Sequence, residues 1–253
     1  MEFVKDNLKV KLLPTRTAMG ECAGKDVHDC LVELLAKKDE VNVIFAAAPS
    51  QNETLAALCS YDDIDWSRVN AFHMDEYLGL AWDAPQRFSR YLDEHIFSLK
   101  SFKSVNYIDP TRGAEEECAR YTELLKKYPT DVVVLGIGEN GHIAFNDPPV
   151  ADFKDPRLIK PVELDAVCRQ QQVNDGCFAS LDLVPTHALS LTIPALMSAG
   201  ALFCSVPAKT KAWAVRETLT TADIDEHCPA TAMRLHSNAT LYCDQDSASM
   251  LEV

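Results

Sequence analysis

Short, nearly unbroken apolar runs recur along this chain, separated by longer stretches in which apolar residues return every three or four positions. Val41-Asn42-Val43-Ile44-Phe45-Ala46 predicts a buried strand, and after Pro49-Ser50-Gln51 a helix is expected from about Asn52 through Leu58. Arg68 to Met74 predicts a second strand, ending in the polar pair Asp75-Glu76. From Gln86 to Phe97, and again from Ala114 to Lys127, apolar side chains such as Tyr121, Leu124 and Leu125 keep helical spacing. Asp131 to Gly136 is the clearest strand, apolar on both faces as a central parallel strand must be. His187 to Ile193, Ala201 to Val206 and Thr240 to Cys243 predict further strands, with helices at Pro194–Ala199 and Lys209–Leu219. Such alternation predicts a doubly wound α/β fold, a mostly parallel sheet with helices on both faces. Ligands of these sheets bind beyond the carboxyl ends of the strands, where His73 to Glu76 and Gly136 to His142 would both lie. No repeat, low-complexity tract or Gly/Ser linker interrupts the pattern, so residues 1–253 read as one domain.

Composition narrows the function. At 253 residues and 47% hydrophobic content the chain can build its own core. Lys and Arg number 24 against 38 Asp and Glu, a formal charge of −14 that disfavours nucleic acid and anionic membrane surfaces as partners. A small phosphorylated metabolite stays open, because one phosphate answers to a few local N–H groups and a cation rather than to net charge. The nine cysteines contain no CxxC pair, which points to reduced thiols in the cytoplasm rather than a disulfide framework or zinc ribbon. The opening MEFVKDNLKVKLLPT lacks a continuous apolar core, so neither secretion nor membrane insertion is expected. The cysteines and Trp66, Trp82 and Trp213 are assigned to packing.

Several motifs carry candidate chemistry. Gly136-Ile137-Gly138-Glu139-Asn140-Gly141 matches the GxGxxG dinucleotide fingerprint, but that fingerprint needs a long helix, and Asn146-Asp147-Pro148-Pro149 stops one within two turns. The glycines are better read as a tight turn beneath a ligand that presents His142 and Asp147. Asn140 and Asp147 flank His142 closely enough to fix its tautomer, an arrangement suited to proton transfer at a sugar oxygen. Asp75-Glu76 reads either as a helix cap or as a base whose burial raises its pKa. Pro49 to Glu53 joins a strand to a helix whose first N–H groups and Ser50 hydroxyl could take a phosphate, with simple N-capping by Ser50 or Asn52 as the alternative. Lys209 or Lys211, following the strand Ala201–Val206, could neutralise it. Arg169-Gln170-Gln171-Gln172 carries no message by itself.

Together Phe72-His73-Met74-Asp75-Glu76-Tyr77-Leu78-Gly79-Leu80 and Leu135-Gly136-Ile137-Gly138-Glu139-Asn140-Gly141-His142-Ile143-Ala144-Phe145-Asn146-Asp147-Pro148 resemble the glucosamine-6-phosphate deaminase (isomerase) family, in the superfamily that also holds 6-phosphogluconolactonase. Ala188 to Leu196, Lys211-Ala212 and Leu235 to Asp244 follow in the family's order, so the likeness covers roughly Val41 to Asp246. The resemblance implies a Rossmann-like fold of deaminase/isomerase type, no metal or organic cofactor, and an amino-sugar phosphate as substrate. It also implies roles: Asp75 as the base that moves a proton between C2 and C1, His142 as the ring-opening acid/base, and Asn140 and Asp147 as its orienting partners. Ser50, Lys211, Glu76 and Arg169 are the implied substrate-binding residues.

The chain departs from the family on the substrate side. Ala46-Ala47-Ala48-Pro49-Ser50-Gln51 replaces a Gly-Gly-Thr-Pro phosphate loop, and Asp147 stands for a glutamate one methylene longer. A phosphate-binding arginine of the family has Asp175 in its register, with Arg169 serving only if the segment is shifted. The expected reaction is glucosamine 6-phosphate to fructose 6-phosphate and ammonia. A sugar-phosphate lactonase and a non-catalytic sugar-phosphate sensor are the alternatives, and a homo-oligomeric assembly is left open.

Overall fold

The structure, a computed structural model, describes residues 1–252. In its main sheet β3 (Val41–Phe45) is flanked in parallel by β4 (Val69–His73) and β7 (Val132–Leu135). Outward lie β6 (Ser104–Asn106) beyond β4, and β10 (Ala201–Val206), β11 (Ala239–Cys243), β2 (Leu8–Leu12) and β1 (Glu2–Lys5) beyond β7. All pairings in this eight-stranded sheet are parallel except β1 with β2. The doubly wound parallel sheet expected from the sequence is therefore observed.

Strand β7 shows why both faces need cover, since side chains along a strand point alternately to opposite sides. Val132 and Val134 pack with Met19, Val27 and Leu31 of α1 (Arg16–Leu35) and Leu55 and Leu58 of α2 (Asn52–Cys59). Val133 and Leu135 pack on the other face with Tyr121 and Leu125 of α4 (Ala114–Lys127), Leu196 of α6 (Ile193–Met197) and Val215 of α7 (Ala212–Thr220). The remaining helices, α3 (Phe88–Leu92) and α5 (Ala166–Asn174), lie beside the loops at the strand ends.

Five expectations change. Asp75-Glu76 does not end β4 as a helix cap: Asp75–Tyr77 is a strand of its own, β5, in a second sheet with β9 (His187–Leu191) and β8 (Ile159–Glu163). All pairings there are antiparallel, so His187–Ile193 is not part of the parallel sheet as its apolar pattern suggested. The helix expected over Gln86–Phe97 starts at Phe88 and finishes as a π-helical turn, Asp93–Phe97, while Lys209–Lys211 is a 3-10 turn before α7. Of the tryptophans only Trp66 is packed: Trp82 is 51% and Trp213 40% exposed.

The chain steps from β3 outward through β4 to β6 and returns at β7 on the other side of β3, so the direction of winding switches between β3 and β7. A crevice opens at such a switch because the loops on either side diverge. Into it run Ala46–Gln51 after β3, Gly136–Asp147 after β7 and Pro207–Lys211 after β10, with β4 leading to Asp75. No helix among the described residues is long and apolar enough to cross a membrane.

Candidate active site

The cleft at this switch point is lined by Asp75 and His142, by Ser50 and Lys211, and by Arg16, Gln171, Gln172 and Asp175. Two parts of the sequence far apart thus meet across it: β5 brings the carboxylate, and the loop after β7 brings the imidazole.

Asp75 is almost fully buried. Burial, and then the neighbouring Glu76 charge, push its carboxyl well above the usual aspartate range. Its backbone is held by His73, the last residue of β4. The Ile108 N–H donates to His73 Nε2 at 2.8 Å, which leaves the proton on Nδ1, and Nδ1–H donates to the Asp75 carbonyl at 2.9 Å. Enclosed in this way, His73 is pushed by burial from 6.5 down to about 4 and stays neutral. The Tyr121 hydroxyl clamps the same residue, donating to the His73 carbonyl at 2.9 Å.

His142 is positioned by the glycine-rich loop, and the loop explains its glycines. A Cβ on Gly138 would lie 2.2 Å from the His142 ring, so only glycine lets the imidazole rest there. Gly141 turns with φ of +82°, a left-handed conformation that favours glycine. No helix follows, and the dinucleotide reading falls with it. Behind the ring, His142 Nδ1 lies 2.8 Å from Asp147 Oδ1, close enough for an ion pair though not aligned as a hydrogen bond. Asn140 bridges the two: its Nδ2 donates to Asp147 Oδ1 at 2.9 Å, and its Oδ1 accepts the His142 N–H at 3.1 Å. Burial alone would raise the Asp147 carboxyl, but the charge and contact of His142, with Asn140 and Cys168, outweigh it and hold it below the usual value. Asn140 and Asp147 therefore stand behind His142 rather than in the cleft.

Cys168, assigned to packing from the sequence, lies against this group. Its Sγ, a ring nitrogen of His142 and a carboxylate oxygen of Asp147 fall within 4.8 Å of one another, a set that could offer ligands to a metal ion. Burial, followed by the Asp147 charge, pushes the thiol well up, so it faces Asp147 as a neutral S–H.

Ser50 and Lys211 line the cleft. Lys211 is buried, its ammonium makes no ion pair among the described residues, and burial lowers its pKa against the opposing pull of Asp175 and Glu139. Ala46, Ala47 and Ala48 all have φ outside the left-handed region, so the loop adopts its path without glycine. Neither Ser50 nor Asn52 caps α2.

Two expected substrate contacts lie elsewhere. Glu76 is fully buried and both its oxygens are engaged: it accepts the backbone N–H groups of Tyr77, Phe88 and Ser89 at 3.0–3.1 Å and pairs with buried Arg87 at 3.2 Å. Successive residues of a strand point opposite ways, so Asp75 facing the cleft turns Glu76 from it. Arg169 donates to the Leu181 and Val184 carbonyls, tying α5 to the following loop, and Asp175 occupies the cleft instead. The residues missed from the sequence are Arg16, Gln171 and Gln172. Arg16 lay in a segment for which no element was expected, and the glutamines had no motif to mark them.

Fold and site define an α/β protein with an acid–base cleft at the switch point of a parallel sheet. The chain belongs to the glucosamine-6-phosphate isomerases/6-phosphogluconolactonase family, whose model matches residues 14–242. It is 36% identical over 236 residues to a glucosamine-6-phosphate deaminase of Listeria monocytogenes serotype 4a (strain HCC23), covering 93% of this chain and 98% of that one. Its structure resembles that of a monomeric glucosamine-6-phosphate deaminase, with a TM-score of 0.86 and 28% identity over 96% of this chain and 99% of the other. The 6-phosphogluconolactonase of Thermotoga maritima shares the fold at a TM-score of 0.74 and 20% identity, covering 93% and 98% of the two chains.

Proposed function

We propose that this chain isomerises and hydrolytically deaminates glucosamine 6-phosphate to fructose 6-phosphate and ammonia. The observation that carries this reading is a buried carboxylate, Asp75, and a carboxylate-backed imidazole, His142, lining one cleft with Ser50 and Lys211. His142 assists opening of the pyranose by moving a proton between ring oxygen and anomeric hydroxyl. Asp75, ionised, removes the C2 proton while water protonates the aldehyde oxygen, which leaves a C1–C2 enolamine, and then delivers its proton to C1 as an amine proton is lost to water, which leaves an imine at C2. Water adds to that imine and ammonia departs. The raised proton affinity of Asp75 suits the step, because a carboxylate at its ordinary pKa is too weak a base to take a proton from carbon. Ser50 and Lys211 hold the phosphate.

Incubation with glucosamine 6-phosphate tests this directly: ammonia and fructose 6-phosphate should appear in equal amounts. Hydrolysis of a sugar-phosphate lactone with no ammonia release would replace this reading with a lactonase, and tight binding without turnover would make the protein a sensor.

A further inference from the structure

A phosphate monoester carries about −1.5 to −2 charges at neutral pH, and the cleft has to balance them. Lys211 brings one positive charge, but Asp175 lines the same cleft and its charge acts on Lys211. Among the residues lining the cleft, the other cation is Arg16, at the start of α1. Its guanidinium sits against the loop that carries Ser50: Nη2 donates to the Pro49 carbonyl at 2.5 Å and Nε to Glu53 Oε1 at 2.8 Å. These bonds occupy one edge of the fork, and Nη1 makes no hydrogen bond among the described residues. The loop is tied on its other side to the end of β10, where Gln51 Nε2 donates to the Ser205 carbonyl at 3.3 Å and Thr54 and Ser205 share a hydroxyl bond of 2.8 Å. Beyond Ser205 the chain turns through Pro207–Lys211. Ser50 therefore lines the cleft together with Arg16 of α1 and Lys211 of the turn before α7.

We propose that Arg16 is a phosphate-binding residue of this cleft, acting with Lys211 and Ser50. The proposal rests on the phosphate reading given above. It accounts for how the chain can dispense with an arginine at position 175: the second cation arrives from α1, on the opposite end of the sequence. Glu53 pairs with Arg16 and offsets its charge, so what Arg16 adds to the cleft is a directed donor rather than net positive charge. By bonding Nε it fixes the plane of the fork, and it leaves the Nη1 amino group free to donate to a phosphate oxygen, a bond that is both charge-assisted and directional.

The test compares the wild-type protein with Arg16→Met, Arg16→Lys and Lys211→Met in three measurements. These are KM for glucosamine 6-phosphate, the competitive inhibition constant of inorganic phosphate, and that of an unphosphorylated amino-sugar alcohol. Arg16→Met should raise the first two by about 10–100-fold, as for a lost hydrogen bond to a charged group, and shift the third by less than about threefold. Arg16→Lys keeps the charge but loses the fork, so an intermediate rise of about 3–10-fold is expected; this variant carries the test should the Met protein fail to fold. If Arg16→Met weakens all three alike, Arg16 merely shapes the cleft and the proposal is wrong. It is equally wrong if Lys211→Met weakens phosphate and Arg16→Met does not. A wild-type protein indifferent to inorganic phosphate, with no preference for the phosphorylated sugar, would instead remove the phosphate reading itself.

Discussion

His73 takes no part in the cleft, yet it decides where Asp75 sits, because its Nδ1–H holds the Asp75 carbonyl while its Nε2 takes the Ile108 N–H. The second bond needs the neutral ring, because a protonated Nε2 cannot accept the Ile108 N–H. Burial lowers its pKa to about 4, whereas in the unfolded chain it returns to 6.5. Below pH 6.5 the unfolded chain binds a proton that the native state refuses, so this stabilisation is complete above 6.5 and is lost as pH falls toward 4. The shift corresponds to about 3 kcal/mol. Urea unfolding at pH 7.5 and pH 4.5 should show that loss, and His73→Asn should flatten the dependence; an unchanged slope would mean the ring is not held neutral. For Asp75 the expectation is kinetic. Asp75→Asn keeps shape but removes the base, so kcat should fall by about 10²-fold or more with KM little altered. In the wild type, kcat/KM should drop with falling pH at a midpoint above the ordinary aspartate value of 3.8, since the buried carboxyl protonates early.

At the scale of elements, Glu76 joins β5 to α3. Its carboxylate accepts the Phe88 and Ser89 N–H groups at the start of that helix and pairs with Arg87, and both charged side chains are fully buried. Arg87 is further held by the Trp82 and Ile108 carbonyls and stacks 4.3 Å from the Trp82 ring. Breaking a buried pair leaves one charge uncompensated, so Glu76→Gln should destabilise by about 3–5 kcal/mol. It also removes a negative charge beside Asp75, so the acid limb of the pH profile should move to lower pH. A variant with wild-type stability and profile would show that the pair is not the tie described. In the sequence Asp75-Glu76 was legible as a chemically loaded dipeptide, but not which of the two faced the cleft. That follows from strand alternation, and β5 is too short to show any.

For the whole molecule, one sheet carries both apolar clusters, with Val132 and Val134 serving one and Val133 and Leu135 the other. Neither cluster can lose its sheet without exposing its neighbour. We therefore expect residues 1–253 to unfold in a single transition, with fluorescence and circular dichroism coincident. Two separated transitions would divide the chain into independent units. The −14 charge acts at this scale as well: on the proposed reading, Lys211 and Arg16 attract the phosphorylated sugar at short range against a long-range field that repels it.

The sequence by itself determined the central strands, their parallel sheet, and the two motifs around Asp75 and His142, because these depend on local pattern: apolar runs, helical spacing and loops rich in glycine. It left α1 unmarked, where Gly20 and Gly24 let α2 approach so closely that a Cβ would lie 2.2 Å from Glu53 and 2.6 Å from Ala57. That need for small residues exists only once two helices are packed. Strands β8 and β9 became a separate antiparallel sheet for a similar reason, since pairing partners are chosen across the fold and an apolar run does not name its neighbour. Only the tertiary structure turned Glu76 and Arg169 away from the cleft and brought Arg16 into it. A side chain's chemistry is local, but what it faces depends on elements tens or hundreds of residues distant.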